Sequence, residues 1–146
     1  MFLAPEVVKE SVDGIIHEET QLAESGVDLT VGGVLQPVTS SELDFGGGEE
    51  KAGELERVKA EKRSPEDDYG WWKLEGGTYV VEFNEELSVH DGLGIVVPLA
   101  RLTGGGSYHN PLVFRGTPET GPVLVVGSPG LELKENARIS RLLIWN

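Results

Sequence analysis

The stretch that decides the fold is Gly26–Val38, GVDLTVGGVLQPV, in which Val27, Leu29 and Val31 alternate with Asp28 and Thr30. A period of two is that of a β-strand. Upstream, PEVVKESVDGII (Pro5–Ile16) sets Val7, Val8, Val12 and Ile15 at roughly helical spacing behind Pro5, with Gly14 near the stop, and predicts a short N-terminal helix. Downstream, the second half reads as β throughout: WWKLEGGTYVVEFNEELSV from Trp71, LGIVVPLARL from Leu93, PLVF from Pro111, PVLVVG from Pro122 and LELKENARISRLLIW from Leu131. Short Val- and Ile-rich pieces are punctuated by Gly, Pro and Asn, and GSPG at Gly127–Gly130 is a turn signal. The pattern predicts an all-β sandwich or barrel, jelly-roll-like or distorted, entered through one short helix.

The 146 residues form one domain, 1–146, large enough to bury roughly two thirds of the unfolded surface in a single core. Between Ser40 and Asp68 the chain turns to glycine and charge, DFGGGEEKAGELERVKAEKRSPEDD from Asp44, and reads as an exposed excursion. Its AGELERVKAEKR piece is either part of a helix or a solvated charged face.

The net charge of −13 repels phosphate backbones and anionic lipid, so nucleic-acid polymers and membrane surfaces are not expected partners. A nucleotide is still within reach where local arginines outweigh the global field. No cysteine is present, which excludes disulfides and thiolate zinc sites. No basic-then-apolar leader opens the chain and no apolar run approaches the roughly 20 residues that span a bilayer, so a soluble cytoplasmic protein is the expectation. His17, His90 and His109 are widely separated, without the short spacing of a histidine metal site.

Phosphate-loop, dinucleotide, zinc-protease and nucleophile-elbow motifs are all absent. The window PLARLTGGGSYHNPLVFRG, Pro98–Gly116, does hold three consecutive glycines, but nothing after Gly106 reads as the helix that a phosphate-cradling glycine loop would open.

In order and spacing, four segments resemble the trimeric dUTPase and dCTP deaminase superfamily, in particular its archaeal dUTPase-like members. ESGVDLTVG (Glu24–Gly32) is similar to the first family motif, and LEGGTYVVEFNEELSV (Leu74–Val89) to the strand segment before the family core. IVVPLARL (Ile95–Leu102) stands in the place of the Pro-Arg-Ser-Ser phosphate loop, and GLELKENARISRLLIW (Gly130–Trp145) resembles the closing motif. The resemblance implies a dUTPase-like distorted β-barrel and a homotrimer, with a deoxynucleotide as ligand and Mg²⁺ as cofactor if the chain is an enzyme.

The resemblance also assigns site residues, with substitutions. Asp28 matches the motif-one aspartate near phosphate and metal, though an aspartate there can equally bond backbone at a strand bend. Leu99, Ala100 and Arg101 stand where the family has Arg-Ser-Ser, leaving Arg101 as a phosphate ligand or as a surface arginine. Arg115, or in another register Asn110, falls at the water-activating carboxylate, and neither can act as that base. The nearest acid is Glu119. Val125 or Val126 stands at the deaminase glutamate. In the closing motif Arg141 replaces a phosphate-binding glutamine, and Arg138 holds the turn. Tyr108 and His109 could stack on a base or sugar.

The expected catalytic residues are thus Asp28 and Glu119, and the expected substrate-binding residues Arg101, Tyr108, His109, Asn110, Arg115 and Arg141. Three functions stand open: a divergent nucleotide-binding member with weak or no dUTP diphosphatase activity, a working dUTP diphosphatase with relocated residues, and a non-catalytic structural or interaction subunit.

Overall fold

The computed structural model describes all 146 residues. Helix α1 spans Pro5–Val8 and runs on as a single tighter turn through Ser11, after which the chain extends as β1 (Val12–Asp13). The expected N-terminal helix is therefore shorter than its apolar spacing suggested: Val12 lies on a strand and Ile15 beyond it. Helix α2 (Glu18–Gln21) follows, capped by the His17 ring, which accepts from the Thr20 amide. Strand β2 (Val27–Pro37) is the predicted alternating stretch.

The excursion contains β3 (Leu55–Arg57), paired antiparallel to the end of β2, so its charged piece is extended and not helical. Val58 and Ala60 pack on the core behind it. Then come β4 (Trp71–Leu74), β5 (Gly77–Phe83), β6 (Glu86–Leu87) and β7 (Val89–Pro98). One helical turn, α3 (Ala100–Thr103), precedes β8 (Tyr108–His109), β9 (Leu112–Gly116), β10 (Val123–Val126), β11 (Leu131–Lys134) and β12 (Arg138–Trp145).

The main sheet runs β8-β10-β5-β2-β12-β7-β9, with β3 branching from β2, and curls into a half-barrel, which bears out the all-β, distorted-barrel expectation. β2 lies between β5 and β12 and is buried on both faces from Val27 to Val31. That position explains why so short a segment carries so much of the pattern. One core cluster gathers Val27, Leu29, Val96, Leu142 and Ile144; the other gathers Val31, Val34, Leu74, Val81 and Leu124, and Phe83 packs against both.

In β2 the register slips between Val31 and Gly33, so that Val31 and Val34, three residues apart, reach the same cluster. No helix is long and apolar enough to cross a membrane.

Candidate functional site

The motif SGVDL is built around close approach. A Cβ on Gly26 would lie 2.1 Å from the Leu142 carbonyl oxygen, so only glycine lets β2 begin this near β12. Two residues on, Asp28 stands opposite Arg141 in the β2–β12 ladder, and Thr30 stands opposite Arg138. In a regular strand residues three apart face opposite sides. The ladder slips between Arg138 and Ser140, and this bulge turns both arginines to the face that carries Asp28 and Thr30.

The result is a compact charge cluster. Arg141 Nε donates to Asp28 Oδ1 at 2.7 Å, and Arg138 Nη1 donates to Asp28 Oδ2 at 2.8 Å. Arg141 also reaches the Ser25 hydroxyl, and Arg138 the Thr20 carbonyl. The Asp28 side chain is 2% exposed, whereas those of Arg138 and Arg141 are 31% and 25% exposed. The carboxylate is sealed behind two guanidinium side chains that stay partly exposed. Arg101, exposed on α3, donates to the Arg138 carbonyl at 3.4 Å and pairs with no carboxylate. Three arginines thus gather beside Asp28 on a chain whose net charge is −13.

A second polar network adjoins the first, and sequence reasoning missed it. Glu85, buried, accepts from the Thr30 amide at 2.8 Å, the Thr30 hydroxyl at 2.5 Å and Gln21 Nε2 at 2.9 Å. Gln21 Nε2 also donates to the Asp28 carbonyl, and its Oε1 accepts from the Ile16 and His17 amides. Gln21 thus ties the end of α2 to the strand that carries Asp28. No buried side-chain polar atom lacks a partner. NEE at Asn84–Glu86 has no motif signature, and in a chain with 25 acids nothing marks Glu85 out.

The other expected site residues disperse. Glu119 is exposed on the β9–β10 connection and lines a groove of about 750 Å³ with Glu10, Asp13, Glu82, Glu85 and Glu86, a lining that includes neither Asp28 nor any arginine. Arg115, on edge strand β9, donates to the Gly92 carbonyl at 3.0 Å and does not join the other arginines. Asn110 accepts from the Val123 amide and donates to the Pro111 carbonyl, which fixes the loop between β8 and β9.

His109 requires correction as a stacking residue. It is 1% exposed, with Nδ1 on the Asn110 carbonyl and Nε2 on the Ser140 hydroxyl, both at 2.8 Å. Burial lowers its pKa by disfavouring the charged ring, against the weaker raising effect of backbone bonds at Asn110 and Ile139. Tyr108, its neighbour, remains exposed. Val126 is a core residue and Val125 is half-buried, so neither position offers a proton-transfer group.

The three glycines are also accounted for. The amides of Gly104, Gly105 and Gly106 donate to the carbonyls of Ala100, Leu102 and Thr103, so they close the α3 turn and are not aimed at a ligand. The strand expected through Leu102 stops at Pro98, and Leu102 turns inward as a buried anchor. No group of three or more His, Asp or Glu side chains is placed to hold a metal ion.

The fold and site together define a curled all-β domain with Arg138 and Arg141 gathered on the buried Asp28. No protein-family profile matches the chain. Among curated proteins, it is 30% identical over 140 residues to a probable deoxyuridine 5'-triphosphate nucleotidohydrolase of Methanosarcina mazei, covering 92% of this chain and 77% of the relative. A protein of the same description from Methanosarcina acetivorans is 30% identical over 139 residues with the same coverage. That of Aeropyrum pernix is 29% identical over 132 residues, covering 88% of this chain and 77% of the relative. Among solved structures, the 2'-deoxycytidine 5'-triphosphate deaminase from Agrobacterium tumefaciens superposes with a TM-score of 0.65 at 13% identity, over 97% of this chain and 45% of that one. That likeness concerns the fold, and this chain spans under half of the deaminase's length. The chain belongs to the dUTPase/dCTP deaminase superfamily.

Proposed function

We propose that this chain is a divergent nucleotide-binding member of the superfamily, assembled as a homotrimer, with weak or no dUTP diphosphatase activity. The observation that carries the reading is the Asp28–Arg138–Arg141 cluster with Arg101 beside it. Its partly exposed guanidiniums, which together outnumber Asp28 and the adjoining Glu85, suit a phosphate-bearing ligand, because guanidinium forks bond phosphate oxygens bidentately.

The same geometry argues against efficient hydrolysis. Attack of water on a phosphoryl group needs a base positioned at the reacting centre. Both oxygens of Asp28 already accept from arginines, Arg115 is a cation bonded to backbone, and Glu119 lines an acidic groove that includes neither Asp28 nor any arginine.

The test is titration calorimetry of the purified chain with dUTP and dCTP, alongside a pyrophosphate-release assay. Saturable binding with negligible release is the expected result. Release abolished by Asp28→Asn or Glu119→Gln would establish instead a working diphosphatase with relocated residues. No heat with any deoxynucleotide at millimolar concentration would leave the structural-subunit reading.

A further inference from the structure

The family resemblance implies Mg²⁺ close to the first-motif aspartate, and the donor set around Asp28 does not fit it. Mg²⁺ demands oxygen ligands at about 2.0–2.1 Å in near-octahedral array and keeps several of its waters. Asp28 offers two oxygens, each already accepting a charged N–H at 2.7 or 2.8 Å, and its side chain is 2% exposed, which leaves no approach for a hydrated ion. Two guanidiniums at hydrogen-bond distance would also repel a divalent cation, and no second carboxylate joins Asp28 in a metal-binding group.

We infer that this site takes its phosphate-bearing anion free of metal, with Arg141 supplying beside Asp28 the positive charge that a bound cation would otherwise bring. The inference rests on the nucleotide-binding reading above and adds the ionic form of the ligand. Arg141 is suited to the task by its placement. Nε and Nη1 are committed to Asp28 and Ser25, which pins the guanidinium plane, while Nη2 has no partner in the protein. Arg138 is held in the same way through Nη1 alone. A preorganised pair of this kind presents positive charge to a phosphate oxygen with no metal in between.

The experiment titrates inorganic pyrophosphate into the full chain by calorimetry, once in excess EDTA and once in saturating Mg²⁺. Affinity in EDTA equal to or above that in Mg²⁺ is the result expected, since Mg²⁺ only withdraws free pyrophosphate. Any gain in affinity on adding Mg²⁺ overturns the inference while leaving nucleotide binding intact. Absence of binding in both conditions overturns the binding reading together with it. Arg141→Gln, which frees Asp28 Oδ1, is expected to weaken binding in EDTA about tenfold and to make it rise with Mg²⁺. The wild-type comparison decides the question even if that variant does not fold.

Discussion

Arg141 stands opposite Asp28 across the β2–β12 ladder and donates to it at 2.7 Å, and the bulge before Ser140 brings Arg138 to the other oxygen of the same carboxylate. A buried anion held by two cations is stabilising only while all three remain. Asp28→Asn preserves shape but leaves two guanidiniums without a counter-charge, and is expected to cost about 3 kcal/mol. Urea denaturation should show a lowered midpoint at unchanged slope. In a double-mutant cycle with Arg141→Gln the two losses should fall well short of additive, because the second substitution removes one of the charges stranded by the first.

Glu85 makes a parallel case without an arginine. Its carboxylate accepts from three donors on two elements, Thr30 twice and Gln21 once. In Glu85→Gln one oxygen becomes an amide that must face a donor, so a buried N–H is left unmatched, at an expected cost of about 2 kcal/mol. Gln21→Ala should cost a similar amount and loosen α2, whose preceding backbone amides at Ile16 and His17 bond the Gln21 side chain. Faster hydrogen exchange at those two amides is the local readout.

Gly26→Ala tests the close approach of β2 to β12. The added methyl would meet a backbone oxygen at 2.1 Å, which no side-chain rotation relieves, so the variant should be severely destabilised or fail to fold. Gly46→Ala is the control: nothing lies within 4 Å of its would-be Cβ, and thermal midpoints should match the wild type.

What the sequence reveals and what it conceals divide along physical lines. The strands of the second half are legible as short Val- and Ile-rich runs between turn residues, and β2 because Val27, Leu29 and Val31 alternate with Asp28 and Thr30, although both of its faces are buried there. Five of the substrate-binding expectations lie in the window Tyr108–Arg115 and the Arg101 turn beside it, and only the structure separates them: a strand pair buries His109 while leaving Tyr108 outside. The arginine pair is hidden from pattern reading because Arg138 and Arg141 differ by an odd number of residues, and only the bulge turns them to one face. Extended β3 escapes notice because pairing with the end of β2 needs no apolar residues of its own; all three of its residues are exposed.

His109 predicts the direction of acid sensitivity. Its pKa lies below the ordinary value of 6.5 in the folded chain, so the unfolded chain binds the proton more readily. Stability from this residue is complete above about pH 6.5 and declines as pH falls from there toward the folded pKa, with a slope of at most about 1.4 kcal/mol per pH unit. Thermal midpoints measured at descending pH should fall across that window, and His109→Gln should remove this component of the slope.

Arg101 and Glu119 separate the binding reading from the catalytic one. Arg101 pairs with no carboxylate and lies beside the Arg138 backbone, so its guanidinium is available to a ligand without first breaking an ion pair. Arg101→Gln is expected to weaken deoxynucleotide binding about tenfold while leaving the thermal midpoint within a degree or two, as for other exposed substitutions. Glu119→Gln removes a negative charge from a groove already lined by five other carboxylates, and should relieve repulsion there without altering nucleotide affinity. Calorimetry on both variants discriminates the two readings, since a ligand that lost affinity with Glu119→Gln and not with Arg101→Gln would move the site from the arginine cluster to the acidic groove.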